Sequence, residues 1–376
     1  MPVRNYILND PEIELAQSSG GALRFGAWTI RLPRRFGFCG GVLNALNQLQ
    51  RTLSNRSGTG RILLLGDIIH NDTVNDCLRA DGIIIIQETA IADAMTQIRA
   101  GDTVVIPAFG VPRELATRLQ ELETAGSIRL TDTTCRYVRR IWEFVERKAA
   151  EGNTILILGK PEHPENRATL SRALTAGNAV IQLATLETAM AFAASLEIPD
   201  GNILARLTAI PRLTIHHPAN LDPAKLAFAA QTTLLHSEVA TAEARLRQAA
   251  TALGASFDSS AAVCNATQER QQAAWELCQD GCDLFIVIGG FASSNTTQLQ
   301  RLASQHAPTY FIHSPADFTA TQISHYDPSR QTILVTDHWL PAGAATIGLL
   351  AGASCPAGDI GGVIRKLREM ANESKS

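Results

Sequence analysis

The chain alternates short apolar runs with longer stretches that carry apolar residues at helical spacing. The runs at 61–65, 82–87, 103–107, 154–158, 284–288, 309–312, 332–335 and 346–350 are strand-sized and rich in β-formers. Between them, groups such as Val138, Ile141, Trp142 and Val145 recur at the spacing of one helix face. Strands that alternate with helices predict βαβ units and mainly parallel sheets, so the fold class expected is α/β.

Aligning the chain on three of its cysteines exposes an internal repeat. Cys39, Cys135 and Cys264 each precede a helix-like stretch and then a strand-sized run, ending at Leu65, Leu158 and Ile288. Each run opens into a polar loop at a similar offset, with His70, His163 and Ser293 lying 31, 28 and 29 residues past their cysteines. Later in each repeat an apolar run ends in small or hydroxyl residues: Pro107-Ala-Phe-Gly, Ala230-Gln-Thr-Thr and Ala351-Gly-Ala-Ser. Ligands of open α/β sheets bind beyond the carboxyl ends of the strands. Three such units facing inward would bring three thiols and three polar loops to one centre. The expected division is an N-terminal extension over 1–29 and α/β domains over 30–131, 132–262 and 263–345. A C-terminal strand and helix over 346–376 would close the central site.

Composition narrows the function. The 376 residues are 45% hydrophobic and 18% charged, enough apolar material for real cores and for two to three domains. A net charge of -3 offers no basic surplus to neutralise phosphates, which excludes a general nucleic-acid binder. No apolar run approaches the length of a membrane span. The first 23 residues include Asp10, Glu12 and Glu14 and lack the apolar region of a secretory signal, so a cytoplasmic protein is expected. Seven cysteines, an odd number, do not suggest a disulfide framework.

Three separated cysteines with no C-x-x-C pair suit an iron–sulfur centre better than a zinc ribbon. Three thiolates on a four-iron cluster leave one iron open, as a catalytic site needs. Buried small hydrophobes are the other reading of the same residues. Cys77, Cys278, Cys282 and Cys355 lie off the repeat and read as structural. The segment Gly289-Gly-Phe-Ala-Ser-Ser-Asn295 follows a buried run and opens a helix, so its hydroxyls make either an anion cradle or an ordinary N-cap. His163-Pro-Glu165 sets an imidazole and a carboxylate two apart, a pair that can bind an anion and deliver a proton, or simply face solvent. His70 stands in a similar loop, and the remaining histidines read as surface or core-edge residues.

Several phrases, in order, resemble the 4-hydroxy-3-methylbut-2-enyl diphosphate reductase (IspH/LytB) family. They are Phe36-Gly-Phe-Cys-Gly-Gly-Val42, Ile69-His-Asn71, Asp132-Thr-Thr-Cys135, Gly159-Lys-x-x-His163-x-Glu165 and Gln231-Thr-Thr233. Cys264-x-Ala-Thr-Gln-Glu-Arg270, Ser293-Ser-Asn295 and Gly352-Ala-Ser354 complete the set, which runs from about Ile30 to the end of the chain. Val105-Ile-Pro-Ala-Phe-Gly110 and Ala266-Thr-Gln-Glu-Arg270 look like the plant and cyanobacterial branch.

The resemblance implies a trefoil of three α/β domains around one [4Fe–4S] cluster per chain, held by Cys39, Cys135 and Cys264. It implies Glu165 as proton donor, and Thr232 as a catalytic and substrate-binding residue near the substrate hydroxyl. His70, His163, Ser293, Ser294, Asn295 and Ser354 would form the diphosphate pocket. The implied reaction is the reductive removal of the allylic hydroxyl, giving isopentenyl and dimethylallyl diphosphate and water. This is the last step of the methylerythritol phosphate route, with ferredoxin or flavodoxin as electron donor. A non-catalytic iron–sulfur sensor or electron carrier, or a reductase of another allylic diphosphate, are the rival readings. Three residues depart from the pattern. Phe109 stands where most bacterial members have a diphosphate-binding His, Arg136 where the family usually has Pro, and Gly40 where the plant-like branch tends to have Trp.

Overall fold

The computed structural model describes residues 8–55, 60–198, 202–260 and 263–373. Residues 1–7 of the expected extension, and Ala261 ahead of Cys264, lie outside those ranges. The chain forms two compact units that do not follow its order: one of Met1–Leu43, Ile69–Gly82 and Ala266–Ser376, the other of Asn44–Ile68 and Ile83–Asn265.

The second unit holds two sheets. In the first of them, β3 (Ile62–Leu65), β4 (Ile83–Ile86), β5 (Thr103–Ile106) and β6 (Arg129–Asp132) lie in the order β4-β3-β5-β6, all parallel. In the other, β7 (Thr154–Leu158), β8 (Val180–Leu183), β10 (Lys225–Ala230) and β11 (Ser256–Ser260) lie in the order β8-β7-β10-β11, again parallel. An antiparallel strand, β9 (Leu213–His216), extends β8 at the edge.

The first unit has one large sheet. Here β12 (Leu284–Ile288), β13 (Thr309–Ile312), β16 (Ala345–Ala351) and β2 (Trp28–Arg31) lie in the order β13-β12-β16-β2, parallel throughout, and β1 (Ala22–Phe25) pairs antiparallel at the edge. All three sheets therefore share one strand order: second, first, third, fourth. The fourth strand in each leads to a cysteine of the repeat. In the large sheet that strand comes from the N-terminal part of the chain and pairs with β16.

Central strands β3, β7 and β12 are buried at every position, as expected where helices cover both faces of a parallel sheet. Fifteen-residue helices, Gly40–Ser54, Arg136–Ala150 and Asn265–Gln279, begin immediately after the three cysteines. Val138, Ile141, Trp142 and Val145 are all buried on the second of these, as their spacing predicts. The run at 332–335 is a strand, but it belongs to an antiparallel hairpin of β14 (Gln322–Asp327) and β15 (Thr332–Asp337) outside the parallel sheets. Ile333 and Val335 are exposed there, so the apolar run that suggested a covered strand is left half open to water.

Candidate functional site

Each sheet repeats one strand–loop–helix turn, and several of the candidate residues lie on it. After β3, β7 and β12 comes a glycine with φ of 92°, 139° and 153° at Gly66, Gly159 and Gly289, a region that side chains with a Cβ avoid. Four residues on, the chain reaches His70, His163 and Ser293, and a helix follows each: Asp72–Ala80, Pro164–Ala173 and Ser294–Ala303. Two residues past the end of each third strand, a backbone carbonyl anchors one of the cysteines. Cys135 N–H donates to the Ala108 carbonyl (3.0 Å), Cys264 N–H to Thr232 (3.3 Å) and Cys39 N–H to Ala353 (3.3 Å). The threefold pattern seen in the sequence is thus a threefold pattern of backbone hydrogen bonds.

Each of these cysteines is partly exposed at the start of a helix, where N–H groups favour a negatively charged ligand. Val42 N–H points at Cys39 Sγ at 3.4 Å. The other four thiols are shifted away from the thiolate form. Burial pushes Cys77 above the usual thiol value, Cys278 up to about 12, Cys282 to about 11, and Cys355 well above the usual value. Among the described residues no group of three His, Cys, Asp or Glu side chains is gathered tightly enough for a single metal ion.

In the second unit, Glu165 is 1% exposed. Its Oε1 accepts from Thr232 N–H (2.7 Å) and its Oε2 from the Thr232 hydroxyl (2.8 Å). Burial raises its pKa from 4.5 to about 7, against the opposing pull of those two donors. His163 caps the helix that carries Glu165, accepting the Glu165 N–H on Nδ1 (3.2 Å). A neutral imidazole that accepts on Nδ1 carries its proton on Nε2, so that nitrogen is the donor. Phe109 packs edge-on against His163, ring centroids 5.4 Å apart. Hydrogen bonds and ring contacts thus connect Cys264, Thr232, Glu165, His163 and Phe109, while Ala108 joins this run to Cys135.

Gln231, quoted in the sequence only as part of a phrase and given no role, and Asn166, which the sequence did not mark, hold this pocket in shape. Gln231 Oε1 accepts from Lys160 N–H (3.2 Å) and from Asn166 Nδ2 (3.3 Å), while Asn166 Nδ2 also donates to the Lys160 carbonyl (2.8 Å). The loop after β7 is so tied to the end of β10. A Cβ at Gly159 would lie 2.6 Å from Asn166 Nδ2 and 2.7 Å from Gln231 Cβ, which accounts for the glycine. A polar side chain placed directly after a buried strand was the available signal.

In the first unit, Ser293, Ser294, Asn295 and Ser354 are each buried to at least nine-tenths. The two readings of this segment divide between neighbouring residues. Ser293 is an N-cap, accepting from Thr296 N–H (3.3 Å) and the Thr296 hydroxyl (2.9 Å). Ser354 donates to the His70 carbonyl and lies 3.2 Å from Ser293 Oγ, which ties His70 to the same cluster. Ser294 Oγ and both polar atoms of the Asn295 carboxamide, by contrast, are buried with no hydrogen-bond partner among the described residues. Leaving such a group unsatisfied costs about 1–3 kcal/mol. Two of these atoms, Ser294 Oγ–H and Asn295 Nδ2–H, are donors at a helix N-terminus, the kind of place where an anion can be bound.

Comparison with known proteins gives one consistent result. The sequence model of the LytB protein family matches residues 30–368. A 4-hydroxy-3-methylbut-2-enyl diphosphate reductase of Prochlorococcus marinus is 32% identical over 94% of this chain and 88% of its own length. One from Synechocystis is also 32% identical, over 98% of this chain and 96% of that one. A solved structure of (E)-4-hydroxy-3-methyl-but-2-enyl diphosphate reductase, the terminal enzyme of the non-mevalonate pathway, superposes with a TM-score of 0.55 at 25% identity, covering 90% of this chain and 99% of that one. The Plasmodium falciparum reductase superposes at 0.64 with 21% identity, over 92% and 88%, and shows the same fold.

Proposed function

Because the chain belongs to the LytB protein family, we propose that it reductively dehydroxylates 4-hydroxy-3-methylbut-2-enyl diphosphate. Two electrons and two protons release the allylic hydroxyl as water and leave isopentenyl or dimethylallyl diphosphate. The observation that carries this reading is Glu165, a fully buried carboxyl that keeps a proton near neutrality while Thr232 fixes both its oxygens. A sensor or electron carrier has no use for such an acid.

Cys39, Cys135 and Cys264 are the proposed ligands of one [4Fe–4S] cluster. Their repeated placement at helix starts supports this, as does the upward shift of the four other thiols away from the thiolate form. When bound, the cluster supplies electrons and Lewis acidity to the substrate oxygen.

The chain's own residues do the rest. Ser294 and Asn295 present Oγ–H and Nδ2–H to diphosphate oxygens, with Ser293, Ser354 and His70 fixing the cradle around them. His163 offers Nε2–H. Neutral donors suffice for the anion, in keeping with a chain that has no basic surplus. Glu165 holds its proton on a carboxyl oxygen until the leaving hydroxyl takes it, and Thr232 orients that carboxyl. Phe109 offers no hydrogen bond, so the anion relies on the remaining donors.

No helix among the described residues is long and apolar enough to cross a membrane. We place the enzyme in the cytoplasm, where ferredoxin or flavodoxin would supply its electrons. Anaerobic incubation of the iron-loaded protein with substrate and reduced ferredoxin, or a reduced dye, tests the function. Both C5 diphosphates are expected, and substrate left unconverted under either donor would contradict it.

A further inference from the structure

The short loop that delivers Cys39 is held more tightly than the one that delivers Cys135, and the reason is Arg270. This arginine lies in the Asn265–Gln279 helix and is only 6% exposed. Its Nε and one terminal nitrogen both donate to the Gly37 carbonyl, at 3.0 and 2.8 Å. The same terminal nitrogen donates to the Phe38 carbonyl at 2.9 Å, and the other nitrogen to the Ala266 carbonyl at 2.8 Å. On the opposite side of the loop, Gly37 N–H donates to Ala351 and Cys39 N–H to Ala353. The peptide that joins Phe38 to Cys39 is therefore pinned at both ends, its oxygen by Arg270 and its nitrogen by the chain beyond β16. Around Cys135 the matching carbonyl, that of Thr134, receives only a 3.4 Å contact from Arg139, whose side chain is 45% exposed.

We infer that Arg270 is a positioning residue for the Cys39 thiol, setting the orientation of that one ligand through the Phe38–Cys39 peptide. The inference rests on Cys39 being a cluster ligand. It does not depend on any contact of Arg270 with substrate. A planar fork is what two adjacent carbonyls require, and a lysine ammonium in its place keeps the charge but not the geometry. Neither Ala45 nor Ile141, at the same distance past Cys39 and Cys135, can make these bonds, so the other two helices do not repeat the device at that position.

The test is iron release from anaerobically prepared holoenzyme to a chelator, with the EPR spectrum of the reduced cluster recorded alongside. Arg270→Lys and Arg270→Met are expected to release iron about 10- to 100-fold faster than the parent, the range seen when groups that orient metal ligands are removed. The EPR line shape should shift in both, while Arg270→Lys keeps its near-UV circular dichroism. Should Arg270→Met fail to fold, Arg270→Lys still decides. Parental release rates and an unchanged spectrum in Arg270→Lys would overturn the positioning role. A parent protein that binds no iron would instead overturn the ligand assignment beneath it.

Discussion

The two polar clusters of this protein solve opposite problems. Around Glu165 the buried oxygens are satisfied: the carboxyl takes both Thr232 donors, and Gln231 and Asn166 tie the surrounding loops together. Around Asn295 they are not, and three buried polar atoms wait for partners that the described chain does not supply. A satisfied network fixes one geometry. An unsatisfied one at a helix N-terminus is pre-organised for something that comes and goes. The difference suits the chemistry proposed for the first cluster and the binding proposed for the second, although both grow from the same strand–loop–helix turn. Glu165 and Asn295 even occupy the same position in it, seven residues past the ends of β7 and β12.

Substitutions can break this comparison, and the largest effect is expected at the cysteines. Changing Cys39, Cys135 or Cys264 to Ser should abolish most bound iron and most turnover. Ser at Cys77, Cys278, Cys282 or Cys355 should spare both. Iron analysis and the anaerobic assay read this directly, and full iron retention in Cys135→Ser would remove the ligand set.

Glu165→Gln comes next. Loss of a general acid costs about 100- to 10,000-fold in rate. In the parent, activity should fall as pH rises through about 7, where the carboxyl gives up its proton. That limb should be missing from the variant's residual activity. Stability has the same sign. The folded pKa lies above the ordinary 4.5, so between 4.5 and about 7 the unfolded chain holds fewer protons and folding stability declines. Thermal melts of the Gln variant should show a flatter decline over that window.

A smaller loss is expected at Gly290. A Cβ there would meet the carbonyl of His70, a backbone atom that cannot move aside. Gly290→Ala should therefore cost about 1–3 kcal/mol of stability through overpacking, and it should weaken substrate binding as the cradle opens. The smallest effect belongs to Phe109→His. The replacement sits beside His163 and adds a donor, so turnover should be kept and the Michaelis constant unchanged or lowered.

Much of this was legible in the sequence because the repeat is written in apolar runs. Strands β7, β12 and β13 begin and end where the pattern places them, since each run is continuous and sharply bounded by polar or turn residues. Strands β6 and β11 stayed hidden because Arg-Leu-Thr-Asp and Ser-Phe-Asp-Ser-Ser are too polar to read as strands. Alanine-rich β10 showed only as an apolar run ending at Ala230. The loop offsets located His70, His163 and Ser293. Spacing could not tell a capping serine from an open one, because Ser293 and Ser294 differ only in which way the helix start turns them. The Gln231–Asn166 tie was out of reach for a different reason, since it joins residues 65 apart through side chains.

The division between the two clusters is tested most directly by steady-state kinetics of Glu165→Gln and Asn295→Ala, measured side by side with a reduced dye as donor. Losing a hydrogen bond to a charged group costs roughly 1.5–3 kcal/mol. Asn295→Ala should therefore raise the Michaelis constant about 10- to 150-fold with little change in turnover, because diphosphate contacts exist in both ground and transition states. Glu165→Gln should lose turnover and leave the Michaelis constant near the parent's. If both variants lose turnover alike, or Asn295→Ala leaves the Michaelis constant unchanged, the open cradle does not bind the diphosphate and the division fails.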